Sequence, residues 1–133
     1  MTKEFILRIC KPLIQNEVNF VVTGGSSSFI RGSKVGTLDL DLLVNPTNSN
    51  ISKLKLGLEQ IKSDNLSILD QLSLQQIVRI NAFPFTIDIL PKLDGLEMEQ
   101  VMNNKEDIQY SGMTIPVICE TDLKLNYQAI NKA

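Results

Sequence analysis

The sequence predicts an α+β domain, α/β-like in the order of its elements, in which helices flank a mixed β-sheet. Short β-branched or alternating apolar segments are separated by segments with helical apolar spacing. The predicted order is α-β-α-β-α-β-β-α-β-β-α, which mixes crossover connections with hairpins. The chain has 133 residues, a length that fits one domain over residues 1–133.

The first half of the chain is expected to hold two helix and strand pairs. Apolar residues recur at helical spacing over residues 4–16, where Pro12 is expected to kink or restart the helix. The run NFVVTG from Asn19 is typical of a buried strand that ends in a tight turn. Residues 26–30 are expected to open a short helix. The segment TLDLDLLV, residues 37–44, then alternates leucine with aspartate as a strand does.

The second half begins with a predicted helix and ends with another. An apolar stripe predicts a helix over residues 51–61, with its N-cap among residues 48–50. The apolar period of residues 65–74 does not distinguish a short helix from an extended segment. The remaining expected elements are two strands around Pro84 over residues 76–83 and 85–90, a helix over residues 96–102, a hairpin turning at Ser111-Gly112 over residues 107–118, and a helix over about 121–131.

The composition excludes several kinds of chemistry. The chain has no histidine, which excludes a Ser-His or Cys-His nucleophile and a histidine-ligated zinc site. Its net charge of −2 provides no overall basic field for nucleic acid. The apolar runs are short and interrupted by charges, so a cytoplasmic protein without membrane contact is expected. Cys10 and Cys119 are expected to be free, buried thiols.

Three aspartates lie on predicted strands where their side chains share a face with polar neighbours. Asp39 and Asp41 alternate with leucines, which are expected to point into the core from Leu38 onward. Asp88 alternates with apolar residues in FTIDIL in the same way. If the two strands are neighbours, the three carboxylates converge, and their mutual repulsion favours binding of a divalent cation. Mg²⁺ suits a few carboxylates completed by waters and phosphates.

The glycines before these aspartates predict a site for an anion. Gly24 and Gly25 allow a sharp turn and a close approach of the backbone to a ligand. The residues that follow present N–H groups at the start of a helix, and Ser26 adds a hydroxyl. A phosphate site beside a carboxylate and metal site is what the handling of a nucleoside triphosphate requires.

The stretch VVTGGSSSFIRGSKVGTLDLDLLV, followed by FTIDIL, resembles the signature of the polymerase-beta-like nucleotidyltransferase superfamily. That signature has a strand ending in Gly-Gly-Ser, a DxD strand and a third acidic residue on a later strand. The chain looks most like the small bacterial branch of minimal nucleotidyltransferases and AbiEii-type toxin proteins. The resemblance extends over nearly the whole chain, although Asn126 lies near the position where relatives often carry a lysine.

The resemblance implies a nucleotidyltransferase that moves a nucleoside monophosphate from a triphosphate to a hydroxyl acceptor. It implies that Gly24, Gly25 and Ser26 bind the β- and γ-phosphates. It also implies that Asp39, Asp41 and Asp88 hold two Mg²⁺ or Mn²⁺ ions and are catalytic, Asp88 helping to activate the acceptor. Minimal members of this superfamily often work beside a separate helical protein, so the resemblance implies such a partner or a homo-oligomer.

Arg31 and Lys34 lie in the loop between the glycines and the aspartates, where a cation would meet the triphosphate. The competing interpretation of both side chains is a solvated surface charge.

The aspartates and the glycines also have plainer interpretations. The two aspartates of TLDLDLLV would suit the solvated face of an edge strand, and Gly24-Gly25 would suit a plain turn. At the level of function, two further hypotheses stay open. One is a non-catalytic binding module of the same fold, such as the antitoxin or regulatory half of a two-protein system, and the second is a nucleotide sensor.

Overall fold

The computed structural model describes residues 1–34, 36–61 and 66–131, which form a six-stranded sheet with helices on both faces. The helices are α1 (Lys3–Gln15), α2 (Gly24–Ile30), α3 (Asn48–Glu59), α4 (Met98–Asn104) and α5 (Glu120–Asn131), with a 3-10 helix over Leu66–Leu74. The strands are β1 (Phe20–Thr23), β2 (Asp39–Val44), β3 (Val78–Ala82), β4 (Phe85–Leu90), β5 (Glu106–Tyr110) and β6 (Met113–Val117).

The sheet is mixed, as predicted. Its strand order is β3-β4-β2-β1-β6-β5. Strand β2 pairs antiparallel with β1 and parallel with β4, and β1 pairs parallel with β6. The two expected hairpins, β3 with β4 and β5 with β6, form the two ends of the sheet. Strand β2 is therefore an interior strand, which excludes the edge-strand interpretation of its aspartates.

The two faces of the sheet differ in how they are covered. Helices α1 and α3 and the 3-10 helix pack on one face, where Leu40, Leu42 and Ile87 belong to the main core. A smaller core on the other face joins Val21 and Leu43 to α4 and α5. Buried and half-buried residues alternate along β2 and β4, so the aspartates lie on this second face of the sheet. The smaller core covers that face only in part.

Several local predictions need correction. Helix α1 continues through Pro12 to Gln15 as one element, so the helix does not restart at the proline. Helix α3 is capped by Thr47, one residue before the expected range, through a hydrogen bond that Thr47 accepts from the Asn50 N–H.

Two expected core side chains also lie elsewhere. Leu38 precedes β2 and is 75% exposed, so the inward leucines begin at Leu40. Cys119 is free, as expected, but only half-buried, whereas Cys10 is free and buried.

The open question about residues 65–74 is answered by the 3-10 helix, although Asn65 lies outside the described residues. Within the described ranges, no helix has the length and apolar content needed to cross a membrane.

The side chain of Asn50 joins the start of α3 to the sheet. Its amide oxygen accepts a hydrogen bond from the Asn19 N–H at 2.7 Å. Its amide nitrogen donates to the carbonyl oxygens of Asn19 and Asn45 at 2.9 and 2.8 Å. Because Asn50 is buried, these backbone groups have little access to water if its amide is removed.

We therefore expect Asn50→Ala to lower the free energy of unfolding by about 2–3 kcal/mol, since it leaves buried polar groups unpaired. Urea unfolding monitored by circular dichroism measures the change. Asn48→Ala, on the exposed side of the same helical turn, is the matched control and should change stability by less than about 0.5 kcal/mol. Equal losses in the two variants would contradict this role of Asn50.

Candidate active site

The three predicted aspartates lie on neighbouring strands. In the parallel pair of β2 and β4, Asp41 is the register partner of Asp88, and Asp39 is the partner of Thr86. All three carboxylates lie on the partly covered face of the sheet and are half-buried. The predicted neighbour relation between the DxD strand and FTIDIL is thus confirmed.

The carboxylates of Asp39 and Asp88 each have a protein partner. The Thr86 hydroxyl donates a hydrogen bond to Asp39 Oδ1. Arg79 on β3 donates from Nε to Asp88 Oδ1 at 2.7 Å and from Nη2 to Asp88 Oδ2 at 3.0 Å. In the described part of the chain, no three acidic, cysteine or histidine side chains are gathered closely enough to hold a metal ion as they stand. The backbone register brings the aspartates together, but their side chains do not converge.

The Asp41 carboxyl lies between the other two and is electrostatically disfavoured as an anion. Burial is the largest cause and, together with the charges of Asp88 and Asp39, raises its pKa from 3.8 to about 7. The charge of Arg79 acts in the opposite direction, lowering the pKa of Asp41. A cation that binds here would relieve this repulsion, so the chemistry of these donors fits a hard divalent ion.

Gly24 gives the Asp41 carboxylate its space. This glycine begins α2 with φ of +61°, in the left-handed region that favours glycine. A Cβ at this position would overlap Asp41 Oδ2. At Gly25 a Cβ would lie 3.5 Å from the Thr37 side chain, an ordinary contact. The two glycines therefore have different roles, and only Gly24 is required by backbone conformation and by the neighbouring carboxylate.

Ser26 is fully buried, and its hydroxyl group bonds to the backbone of Thr23 and Asp41. Its hydroxyl donates to the Thr23 carbonyl at 2.8 Å and accepts from the Asp41 N–H at 3.0 Å. These bonds fix the end of β1 against β2. The expected contact of Ser26 with a nucleotide stays a prediction, and the structure places its hydroxyl among backbone groups.

A cavity of about 230 Å³ lies beside Asp41, and Thr23, Gly24 and Gly25 line it. Leu90, Leu93, Asn126 and Ile130 line this cavity and also a larger groove of about 600 Å³. The groove is mostly apolar, and it carries the amide groups of Gln75 and Gln76 on its wall. Gly24 and Gly25 begin α2 two residues before its expected start, and this end of the helix is open to a ligand.

Arg31 and Lys34 are not brought to the aspartates. Arg31 Nη2 donates to Glu106 Oε1 at 2.9 Å and to the Ile118 carbonyl at 2.8 Å, and Arg31 lines a separate cavity with Glu120. Lys34 is exposed in the loop after α2. The contacts of Arg31 are structural, because they connect α2 to β5 and β6. Its expected contact with a triphosphate would compete with the ion pair to Glu106 and the hydrogen bond to the Ile118 carbonyl.

Sequence reasoning missed three residues of this site, namely Arg79, Thr86 and Thr23. Arg79 lies opposite Asp88 in the hairpin register. A turn centred between Phe83 and Pro84 would have paired these two residues, since both are equally far from that point along the chain. The Thr23 hydroxyl is buried beside the cavity and has no hydrogen-bond partner among the described residues. No sequence pattern marks Thr23, because its burial depends on the packing around β1.

Comparison with known proteins bears on the fold. No protein-family model matches the chain, and no curated protein matches it. A crystal structure from Thermotoga maritima, of a protein named as a "putative nucleotidyltransferase" (TM1012), is similar with a TM-score of 0.63. The two share 18% sequence identity over 99% of this chain and 86% of that one. A likeness at this identity establishes the fold, so this chain has a nucleotidyltransferase fold.

We expect Gly24→Ala to be much more damaging than Gly25→Ala. The new methyl group would force an alanine into a positive φ and displace the Asp41 carboxylate, which should cost about 1–3 kcal/mol. Gly25→Ala meets only an ordinary contact and should change stability by less than about 1 kcal/mol. Chemical denaturation of the two variants tests this, and equal costs would show that Gly24 is not specially constrained.

The raised pKa of Asp41 predicts a pH dependence of stability. The folded pKa of about 7 exceeds the unfolded value of 3.8, so the stability contribution of Asp41 is present below about pH 4 and is lost as pH rises through 7. Asp41→Asn removes this loss. Relative to the unchanged protein, the variant should gain about 1–2 kcal/mol between pH 4 and pH 8, a figure reduced for partial exposure.

Urea unfolding of both proteins at a series of pH values, without divalent cations, measures this difference. A difference in stability that stays constant between pH 4 and pH 8 would contradict the raised pKa.

Proposed function

We propose that the protein is a metal-dependent nucleotidyltransferase. It transfers a nucleoside monophosphate from a nucleoside triphosphate to a hydroxyl group of an RNA end, a protein side chain or a small molecule. The observation that supports this best is the register of β2 and β4, which places Asp41 beside Asp88 next to an open cavity at Gly24. The shared fold with the Thermotoga maritima protein supports the same activity class.

The two cavities, which share four lining residues, suggest how the nucleotide lies. The small cavity at Gly24 and Gly25 exposes backbone to a ligand beside Asp41, which suits a polyphosphate bound through metal ions. The larger groove has apolar side chains at Leu90 and Leu93 and the amide groups of Gln75 and Gln76 on its wall, a mixture that ligand sites commonly have. Binding of the triphosphate in the first and of the nucleoside in the second would place the α-phosphate near the aspartates.

Asp39, Asp41 and Asp88 would hold the divalent ions, Mg²⁺ or Mn²⁺. Oxygen donors of this kind and number suit these ions, and a bound cation would favour the Asp41 anion, whose pKa is raised first by burial and then by the charges of Asp88 and Asp39. When bound, such ions supply charge stabilisation for the entering and leaving oxygens of an in-line displacement.

The residues of the chain would then orient the reactants. The acceptor oxygen forms a bond to the α-phosphorus, the bond from that phosphorus to the β-phosphate bridging oxygen breaks, and pyrophosphate leaves. The acceptor loses its proton to Asp88, directly or through a water molecule. The Ser26 hydroxyl holds the backbone of Asp41 in place during this step.

We expect Asp39→Asn and Asp41→Asn each to lower the rate of nucleotide transfer by at least about 100-fold, because each removes an anionic metal ligand while keeping the shape of the side chain. The assay follows label transfer from the four α-labelled triphosphates to total RNA and to protein in Mg²⁺ or Mn²⁺. Asp107→Asn, on exposed strand β5 at the other end of the sheet, is the matched control and should retain full activity.

Transfer that persists in both Asp39→Asn and Asp41→Asn would contradict the proposed site. The control variant separates this outcome from a general effect of removing surface charge.

The second candidate is a non-catalytic binding module of the same fold, acting as an antitoxin or regulatory subunit. One observation favours it, namely that the three carboxylates are not gathered as they stand in the described residues. Co-purification with a separate helical protein whose activity is unaffected by the aspartate substitutions would support this candidate. A relationship to the AbiEii-type branch, a helical partner and a homo-oligomer remain predictions under either candidate.

A further inference from the structure

The sheet carries a row of polar side chains that continues past the three aspartates to its edge. Thr23, Asp41, Asp88 and Arg79 are successive register partners on β1, β2, β4 and β3. Partners in a sheet point to the same face, so Arg79 belongs to the same surface as the carboxylates. Edge strand β3 thus places the guanidinium group of Arg79, which is always charged, in the same row as the carboxylates of Asp88 and Asp41.

The contact between Arg79 and Asp88 uses both oxygens of the carboxylate. The two hydrogen bonds, at 2.7 and 3.0 Å, form the bidentate arrangement that makes guanidinium and carboxylate pairs strong. The two side chains differ in exposure, with 15% for Asp88 and 62% for Arg79. Asp88 is therefore fixed by its surroundings, whereas the arginine has room to move into solvent.

A guanidinium and a divalent cation compete for the same oxygens. A metal ion bound by Asp88 would lie next to the positive charge of Arg79 unless the arginine moved away. The pairing of Arg79 with Asp88 also explains why the three carboxylates are not gathered. Asp88 is the register partner of Asp41, but the carboxylate oxygens of Asp88 face Arg79.

We propose that Arg79 is a positioning residue that holds Asp88 and must release it when a divalent cation binds, so that Arg79 sets the cation affinity of the site. The inference rests on the proposed function in one respect, namely that the aspartates bind metal. Arg79 lies outside the set of three aspartates, and it would decide whether the carboxylate of Asp88 is available to a metal ion. Exchange of Arg79 for the cation would couple metal loading to a movement on the exposed edge strand.

Binding of Mn²⁺, measured at pH 8 from the electron paramagnetic resonance signal of the free ion, tests this proposal without any nucleotide or turnover. Arg79→Gln should bind Mn²⁺ about 3- to 30-fold more tightly than the unchanged protein, because a competing charge is removed. Arg79→Lys keeps the charge but not the bidentate geometry, and should lie between the two. Asn81→Ala, exposed on the same face of β3, is the matched control and should bind Mn²⁺ unchanged.

A double-mutant cycle separates competition at Asp88 from a general effect of charge. In an Asp88→Asn background, Arg79→Gln should alter Mn²⁺ affinity much less than it does in the unchanged protein. An equal effect in both backgrounds would overturn the proposal, as would an unchanged or weaker affinity in Arg79→Gln alone.

A second measurement uses the unchanged protein, so it does not depend on how the variants fold. The Nε–H proton of Arg79 should give a protected nuclear magnetic resonance signal that disappears or shifts as Mg²⁺ is added. A signal unaffected by saturating Mg²⁺ would overturn the proposal while leaving metal binding at Asp39 and Asp41 intact. No Mn²⁺ binding by either the unchanged protein or Arg79→Gln would overturn this proposal and the metal dependence together.

Discussion

The parallel pairing of β2 with β4 is the contact on which the site depends. It places Asp41 beside Asp88 and Asp39 beside Thr86, although the two strands are far apart in the chain. The pairing is maintained from the opposite face, where Leu40, Leu42 and Ile87 pack in the main core. Because alternate residues of a strand point to opposite faces, the burial of these side chains forces the carboxylates onto the other face. A shift of register by one residue would bury the aspartates in the core.

The negative charges of Asp39, Asp41 and Asp88, which lie on one face of the sheet, affect the pKa of Asp41 and the contacts of the neighbouring side chains. The pKa of Asp41 rises because burial and two neighbouring carboxylates disfavour its anion. The protein offsets part of this cost with local partners, since Thr86 donates to Asp39 and Arg79 binds Asp88. Protein partners of this kind stabilise the fold, and a bound cation would compete with them. Under the proposed function, the arrangement would link the stability of the sheet to the occupancy of the site by a cation.

The sequence allowed much of the fold to be predicted, because the signals involved are local. Period-2 alternation located β2 and β4 and identified the faces of their aspartates, and the turns at Pro84 and Gly112 located both hairpins. What the sequence did not show depends on long-range packing. The ion pairs of Arg31 with Glu106 and Glu120, and the burial of the Ser26 hydroxyl, involve residues that no local pattern connects. Leu38 was expected inside because alternation alone does not show where a strand begins.

We propose that three aspartates on two neighbouring strands act as one metal-binding unit beside Gly24 and Gly25. The most direct measurement is a crystal structure with Mn²⁺ and a triphosphate whose α–β bridge cannot be cleaved, with the metal located by its anomalous scattering. We expect Mn²⁺ to be coordinated by Asp39, Asp41 and Asp88, with the triphosphate along Gly24 and Gly25 and the Arg79 side chain turned away. Manganese bound elsewhere, or a triphosphate bound away from Gly24 and Gly25, would contradict this metal-binding unit.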